Sequence, residues 1–319
     1  MMTTQSTALS AKAKSAAALP LPLAEDLTTI KRHKRILFTE KAMSILFLLT
    51  ALTSIVAVAL ICLFLFSSGL PTIFQIGIFK FLGGTKWAPT DSQPQLGILP
   101  MILGSICVTL GAVVVGVPIG ILTAVYMACI CPKWLYRFLK PALDLLAGIP
   151  SIVYGFFGLM VLVPQVRNIF GGSGKSLLAA SVLLGIMILP TVIGLSESSI
   201  RAVPDEYYEG ALALGASHTR AVYYTVFPAA KSGILASVVL GIGRAIGETM
   251  AVIMVAGNQT LLPRSLTKGL RTMTANIVIE MGYASGIHRQ ALIATGVVLF
   301  VFILLINLCV SLLRRRQER

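Results

Sequence analysis

Arg244 and Glu248 stand four residues apart in GIGRAIGETM (241–250), inside an apolar stretch that runs from about residue 230 to 256. On an unbroken helix that spacing puts both side chains on one face. Insertion scales put an arginine or aspartate at the bilayer centre at ~2.5–3.5 kcal/mol unfavourable, so such residues face a cavity or a partner. Two readings are open. The pair is a buried ion pair that fixes helix packing, or Arg244 offers a fixed positive charge to an anion crossing a membrane. In the second reading Glu248 orients the guanidinium and softens the site, because conduction needs binding strong enough to admit and weak enough to release. Gly241, Gly243 and Gly247 thin the helix beside the pair, permitting close approach of a neighbouring helix or of a solute.

The elements that must hold these residues follow from composition. The chain has 319 residues, 56% of them hydrophobic and 12% charged, against about 25% charged in soluble domains. A mean hydropathy of +0.88 reflects apolar residues that run in blocks. No polar stretch is long enough for a large soluble catalytic domain. The net charge of +14 is not a nucleic-acid footprint, because the basic residues cluster at the ends of apolar blocks instead of forming a face. A crossing helix needs ~20 mainly apolar residues. By that measure six spans are expected, at about 43–68, 98–129, 141–163, 177–197, 230–256 and 290–312. The class is all-α, a polytopic bundle of six membrane helices. Pro118 should tilt or kink the second span, and Gly116-x-x-x-Gly120 could equally be a packing face.

Residues 1–41 are rich in Ala, Ser, Thr and Lys, and read as a flexible cytoplasmic tail ahead of a permease-like domain over 42–319. Placing the N-terminus, the 130–140 loop, the 198–231 segment and the C-terminus on one side gives that side 17 of the 26 Lys and Arg residues. The positive-inside rule then puts both termini in the cytoplasm. Of the five cysteines, Cys62, Cys107 and Cys309 fall in apolar spans; Cys129-x-Cys131 lacks a nearby His or third Cys, so no metal site is expected. GGSGKS (171–176) lacks the first glycine of a phosphate-binding loop and reads as a turn.

Between the fourth and fifth spans lies VPDEYYEGALALGASHTRAVYYTVFP. Pro204 suits a first helical turn, and Asp205 and Glu206 complement its N-terminal dipole. Tyr208, Ala211, Leu212 and Gly215 recur at helical spacing, Gly215 allows a turn, and a second helix starts near Ser217. Such a hairpin is either a handle for a soluble partner or an interfacial anchor. The segment resembles the EAA loop of ABC importer permeases, with Glu209, Gly210, Ala211, Gly215, Thr225, Phe227 and Pro228 at the motif positions. That resemblance implies that the 204–216 helix docks on a separate ATPase through Asp205, Glu206, Glu209, Ala211 and Gly215, within a coupling loop of about 198–229.

GIGRAIGETMAV, with LAGIPSIVYGFFGL (146–159), ILPTVIGLSESSIRAVP (188–204) and TKWAPTDSQPQLGILPMILGS (85–105), is similar to the permeases of phosphate-specific (Pst) ABC importers. Trp87-x-Pro89 points to the PstC-type subunit. The resemblance implies a MetI-like type I importer fold in a bacterial inner membrane. It also implies a homologous PstA-type partner permease, two PstB-type ATPases that bind the ATP and Mg, a PstS-type phosphate-binding protein and inorganic phosphate as cargo. This chain then needs no cofactor and is not an enzyme. Arg244 and Glu248 carry the phosphate pathway by resemblance; Thr249, Ser151 and Tyr154 join them on polarity and position alone. The alternatives are a permease for another oxyanion, such as sulfate or molybdate, or an ion-coupled secondary transporter. The latter usually shows internal repeats and midplane acids; no repeat is visible, and Glu248 is the only carboxylate expected at depth.

Overall fold

The computed structural model describes residues 23–317, and the chain divides into two compact units, one ending at Leu63 and one beginning at Phe64. The first consists of the leading part of helix α1 (Leu23–Ile76). Residues 1–22 of the expected tail lie outside the described residues, while 23–41 are already helical.

In the second unit, the remainder of α1 leads to a short α2 (Ile78–Gly83) and a two-stranded antiparallel ribbon, β1 (Trp87–Ala88) with β2 (Gln95–Leu96). Helix α3 (Leu99–Val125) follows and runs on through a π turn at Tyr126–Ile130. Next come α4 (Lys133–Gly148), α5 (Ser151–Phe157) and, after another π turn, α6 (Val163–Phe170). The turn formed by GGSGKS ends at Ser176, whose hydroxyl caps α7 (Leu177–Arg201) by accepting the Ala179 N–H at 3.2 Å. The remaining helices are α8 (Asp205–Ala213), α9 (His218–Ala221), α10 (Phe227–Ala229), α11 (Lys231–Gly247), α12 (Met250–Val255), α13 (Met273–Met281) and α14 (Gly286–Gln317).

The core forms around α7. In its most apolar window 67% of the residues are buried, against 28% for α3 and 28% for α14, so α7 is the helix that the others enclose. Helices α3 and α11 both lie against it, and small residues set their approach. A Cβ on Gly116 would come within 2.6 Å of the Gly185 carbonyl and 2.8 Å of Ile188; one on Gly120 would come within 2.8 Å of Val192. Gly116-x-x-x-Gly120 is therefore a packing face, and α3 continues past Pro118 without ending. Across the other side, the Ser196 and Ser237 hydroxyls share a 2.7 Å hydrogen bond that ties α7 to α11.

Two expected spans are redrawn. The third was expected at 141–163, but the helix ends at Gly148 and restarts at Ser151, so the crossing segment is Ser151–Phe170. Pro150 is the reason, since proline excludes its predecessor from the α region. The fifth was expected unbroken over 230–256. Glu248 and Thr249 instead leave helical geometry between α11 and α12, and α11 is bent by 68° from the helical run His218–Ala229 before it. Five helices among the described residues are long and apolar enough to cross a membrane, six with this bent pair counted as one span.

Replacing Gly116 by leucine should wedge α3 off α7. Overpacking of this kind costs ~1–3 kcal/mol, so the purified protein should show a lower thermal midpoint in detergent, with a smaller drop for Gly243→Leu, where an added Cβ meets no atom within 4 Å.

Candidate functional site

Arg244 lies in the last turn of α11, half-buried, and its Nη1 donates to the Thr191 hydroxyl of α7 at 3.3 Å. No ion pair joins it to Glu248. The expected shared face requires helix through both residues, but Glu248 has extended backbone (φ −68, ψ 130). The break leaves the carboxylate to cap α12 instead, with Oε1 accepting the Ala251 N–H at 3.2 Å. The Glu248 carbonyl, released from the helix ladder, accepts from the Thr274 hydroxyl at 3.2 Å. Added Cβ atoms at the adjoining Gly243 and Gly247 would meet nothing within 4 Å, so the surface at these two glycines is open.

The three residues chosen on polarity fare differently. Thr249 folds back to donate to the Gly247 carbonyl at 3.2 Å within the break. Tyr154 is buried, lies within electrostatic range of Arg244, and donates its hydroxyl to the Leu146 carbonyl at 2.7 Å. That bond satisfies a carbonyl at the end of α4 and spans the Pro150 break. Ser151 opens α5 and is half-buried. Arg244 and Thr191 thus meet directly, Glu248 and Thr249 form the adjoining break, and Ser151 and Tyr154 belong to the neighbouring α5.

At the other end of α11 the expected hairpin is present. Helix α8 closes in a Schellman motif: the Ala216 N–H reaches the Ala211 carbonyl at 3.1 Å and the Gly215 N–H the Leu212 carbonyl at 2.9 Å. Gly215 sits at φ +86, a backbone conformation that penalises side chains. Ser217 caps α9 by accepting from the Arg220 N–H, and the Tyr208 hydroxyl meets His218 Nδ1 at 2.6 Å, joining the two helices. Asp205, Glu206, Tyr207 and Glu209 are exposed and Ala211 is half-buried. Leu214 is 91% exposed at the hairpin tip. The exposed face of α8 and the hairpin tip thus carry acids and large apolar groups together.

Comparison with known proteins decides the family. Residues 116–319 match the model of the binding-protein-dependent transport system inner membrane component family. The chain belongs to this family. Among its relatives, the probable ABC transporter permease protein YqgH of Bacillus subtilis is 39% identical, over 84% of this chain and 88% of that protein. The phosphate transport system permease protein PstC of Xylella fastidiosa is 34% identical over 85% of this chain and 90% of its own length. PstC of Pasteurella multocida is 32% identical over 76% and 81%. The fold is also that of solved importers. The MetNI methionine ABC transporter in an inward-facing conformation matches 70% of this chain and 96% of its own, with TM-score 0.57 at 20% identity. A bacterial alginate ABC transporter matches 83% and 94%, with TM-score 0.54 at 15% identity.

This ABC importer permease subunit also holds two carboxylates buried within the protein, Glu197 and Glu280. Glu197 on α7 is 2% exposed and accepts from Tyr136 (2.8 Å), Lys140 (2.8 Å) and Arg201 (2.6 Å). The hydrogen bond to Glu197 raises the Lys140 pKa, and burial, then the same carboxylate, raises that of Tyr136. Glu280 on α13 is 6% exposed and collects Trp87 Nε1 (2.8 Å), His288 Nε2 (2.8 Å) and Arg271. Trp87-x-Pro89 thus has a structural job, closing the β1–β2 ribbon onto α13. The signal for Glu197 was present as Glu-x-x-x-Arg, an i, i+4 pair at a span end; Glu280 gave none, because Arg271 and His288 lie outside its helix at no helical spacing and Trp87 is 193 residues away.

Removing one partner of a buried charge pair costs ~3–5 kcal/mol. Glu280→Ala, which strands the largely buried Arg271, should therefore lower the thermal midpoint of the purified permease markedly; an unchanged midpoint would show the network to be dispensable.

Proposed function

We propose that this permease is the PstC-type subunit of an ATP-driven importer of inorganic phosphate. The observation that carries the reading is Arg244: a half-buried guanidinium with a neutral hydroxyl as its hydrogen-bond partner and no carboxylate at ion-pair distance among the described residues. At 1.5 Å per residue it lies ~20 Å along α11 from Lys231, well inside a hydrocarbon core of ~30 Å. Placing an uncompensated cation there is expensive unless an anion uses it. The likeness to PstC proteins of Xylella and Pasteurella supports phosphate as that anion.

A guanidinium presents planar forked donors that match tetrahedral oxyanions. Thr191 accepts from Arg244, so its own hydroxyl hydrogen is available to a phosphate oxygen. Glu248, one turn away across the break, supplies negative charge that keeps the anion from settling. Glycines 243 and 247 leave the flank open for the cargo or for a second permease. The pathway therefore forms between this chain and a homologous PstA-type permease.

The rest of the reading follows the same logic. Both termini and the α8–α10 hairpin face the cytoplasm, where Asp205, Glu206, Glu209, Ala211 and Gly215 present α8 to one of two PstB-type ATPases. A PstS-type protein delivers phosphate on the opposite face. ATP and Mg are held by the ATPases, and this subunit performs no chemistry of its own. ATP binding draws the ATPases together, the hairpin moves with them and the bundle changes the side to which Arg244 is open.

Phosphate uptake by the reconstituted complex, with ATP and binding protein, tests the proposal. Arg244→Gln should reduce labelled-phosphate uptake at least a hundredfold with normal assembly; uptake at the wild-type rate would leave Arg244 a packing residue. Unlabelled sulfate in excess should not compete. Glu209→Lys should release the ATPase from membranes, and full retention with intact uptake would refute docking through α8.

A further inference from the structure

The Glu197 cluster sits where the hairpin joins the bundle. Glu197 and Arg201 are one turn apart at the end of α7, and only Ala202 and Val203 separate Arg201 from Pro204, which leads into α8. Arg201 has two further contacts besides Glu197. Its second arm donates to the Met127 carbonyl in the π turn closing α3, at 2.9 Å, and its guanidinium lies 4.5 Å from the centre of the Tyr136 ring on α4. Tyr136 and Lys140, also on α4, hold the same carboxylate. Three segments, α3, α4 and α7, are thus joined through one buried carboxylate and one guanidinium.

The second half of the hairpin is seated on the end of α3, where Val222 and Val226 are buried in one cluster with Ala124, Val125 and Met127. Beside this contact lies a cavity of about 310 Å³, lined by Ala128, Cys129, Arg201, Asp205, Tyr208 and His218 among others. A push on α8 can therefore enter the bundle through that packing and α11, and also directly along the two-residue tether to Arg201. From Arg201, α7 runs ten residues back to Thr191, ~15 Å along the helix, and Thr191 holds Arg244.

Resting on the coupling role proposed for α8, we infer that Glu197 and Arg201 are positioning residues that lock the inner ends of α3, α4 and α7 into one body. Displacement of the hairpin then reaches the Thr191–Arg244 site instead of being absorbed by bending at Ala202 and Val203. Stability alone is a poor reason for the cluster, because well-packed apolar residues commonly replace a buried ion pair without loss. What apolar packing does not supply is direction: Glu197 and Arg201 fix the orientation of three helix ends through hydrogen bonds of defined geometry.

The test uses the complete complex in lipid nanodiscs and vesicles. Arg201→Ala is chosen because the side chain is 45% exposed and Glu197 keeps Tyr136 and Lys140. Spin labels at Ile169→Cys and Leu261→Cys, exposed residues far in sequence from the hairpin, report ATP-dependent movement on a background otherwise free of cysteine. The wild type should show an ATP-dependent distance change. Arg201→Ala should assemble with its ATPases and hydrolyse ATP within about twofold of wild type, yet lose that distance change and transport at least tenfold less phosphate per ATP. Glu197→Gln, which turns one amide N–H toward Lys140, should behave alike, while Lys140→Met should retain most coupling. Wild-type coupling in Arg201→Ala overturns the inference, as does failure of both Arg201→Ala and Glu197→Gln to assemble, which would make the cluster a packing feature. A wild-type complex that moves on ATP but imports no phosphate would instead overturn the functional reading and leave the clamp standing.

Discussion

An arginine in an apolar helix imposes the constraint from which much of this permease can be understood. Its charge has to be tolerated in a low-dielectric setting, and the two ordinary solutions are a carboxylate partner or a route to water and solute. Arg244 has no carboxylate at ion-pair distance among the described residues and a hydroxyl from α7 at 3.3 Å. The helix that carries it ends three residues later at Gly247. Ending α11 there frees Glu248 to cap α12, and the glycines on either side of Arg244, Gly243 and Gly247, have open space where a Cβ would sit.

Helix α7 is the scaffold that makes this arrangement rigid. It is the most buried of the long helices, and it is met by Gly116 and Gly120 of α3 on one side and by Gly241 of α11 on another. Close backbone approach across small residues gives dense packing with little freedom to slide. The same helix carries Thr191 at the site, Ser196 against α11 and Glu197 at the clamp. Site, packing and coupling segment are therefore arranged along one rod, with the α8 hairpin attached to its end by a short tether.

The buried polar groups divide the labour between the two ends. Glu280 gathers the distant Trp87 with the nearby Arg271 and His288, and pins the ribbon, α13 and the start of α14 together. Glu197 and Arg201 together gather α3, α4 and α7 beside the hairpin. Both carboxylates have hydrogen-bond donors on each oxygen, which is the condition under which a buried charge is acceptable. Between them lies the broken helix α11–α12, and irregular backbone inside a membrane is tolerated where it is buried in protein or lines a water-filled cavity.

Much of this was legible in the residues. Apolar blocks of about twenty residues gave the membrane class, since burying that much unbroken apolar surface has few other solutions. Pro204, Gly215 and Ser217 specified the hairpin, because first-turn proline, left-handed glycine and hydroxyl caps act locally. Pro150 is likewise a local signal, one that starts the third span at Ser151. The register between helices was not legible. That Arg244 meets Thr191 and not Glu248, that Glu197 collects two donors from α4, and that Trp87 reaches Glu280 all depend on which faces pack together. The residues alone specified the apolar blocks, the hairpin with its caps and the family motifs, because these follow from interactions within a few residues; the break at Glu248 and Thr249 they did not. The tertiary structure decided which charges are paired and which is left open, because that balance is set by distances between residues that the chain separates by tens to hundreds of positions.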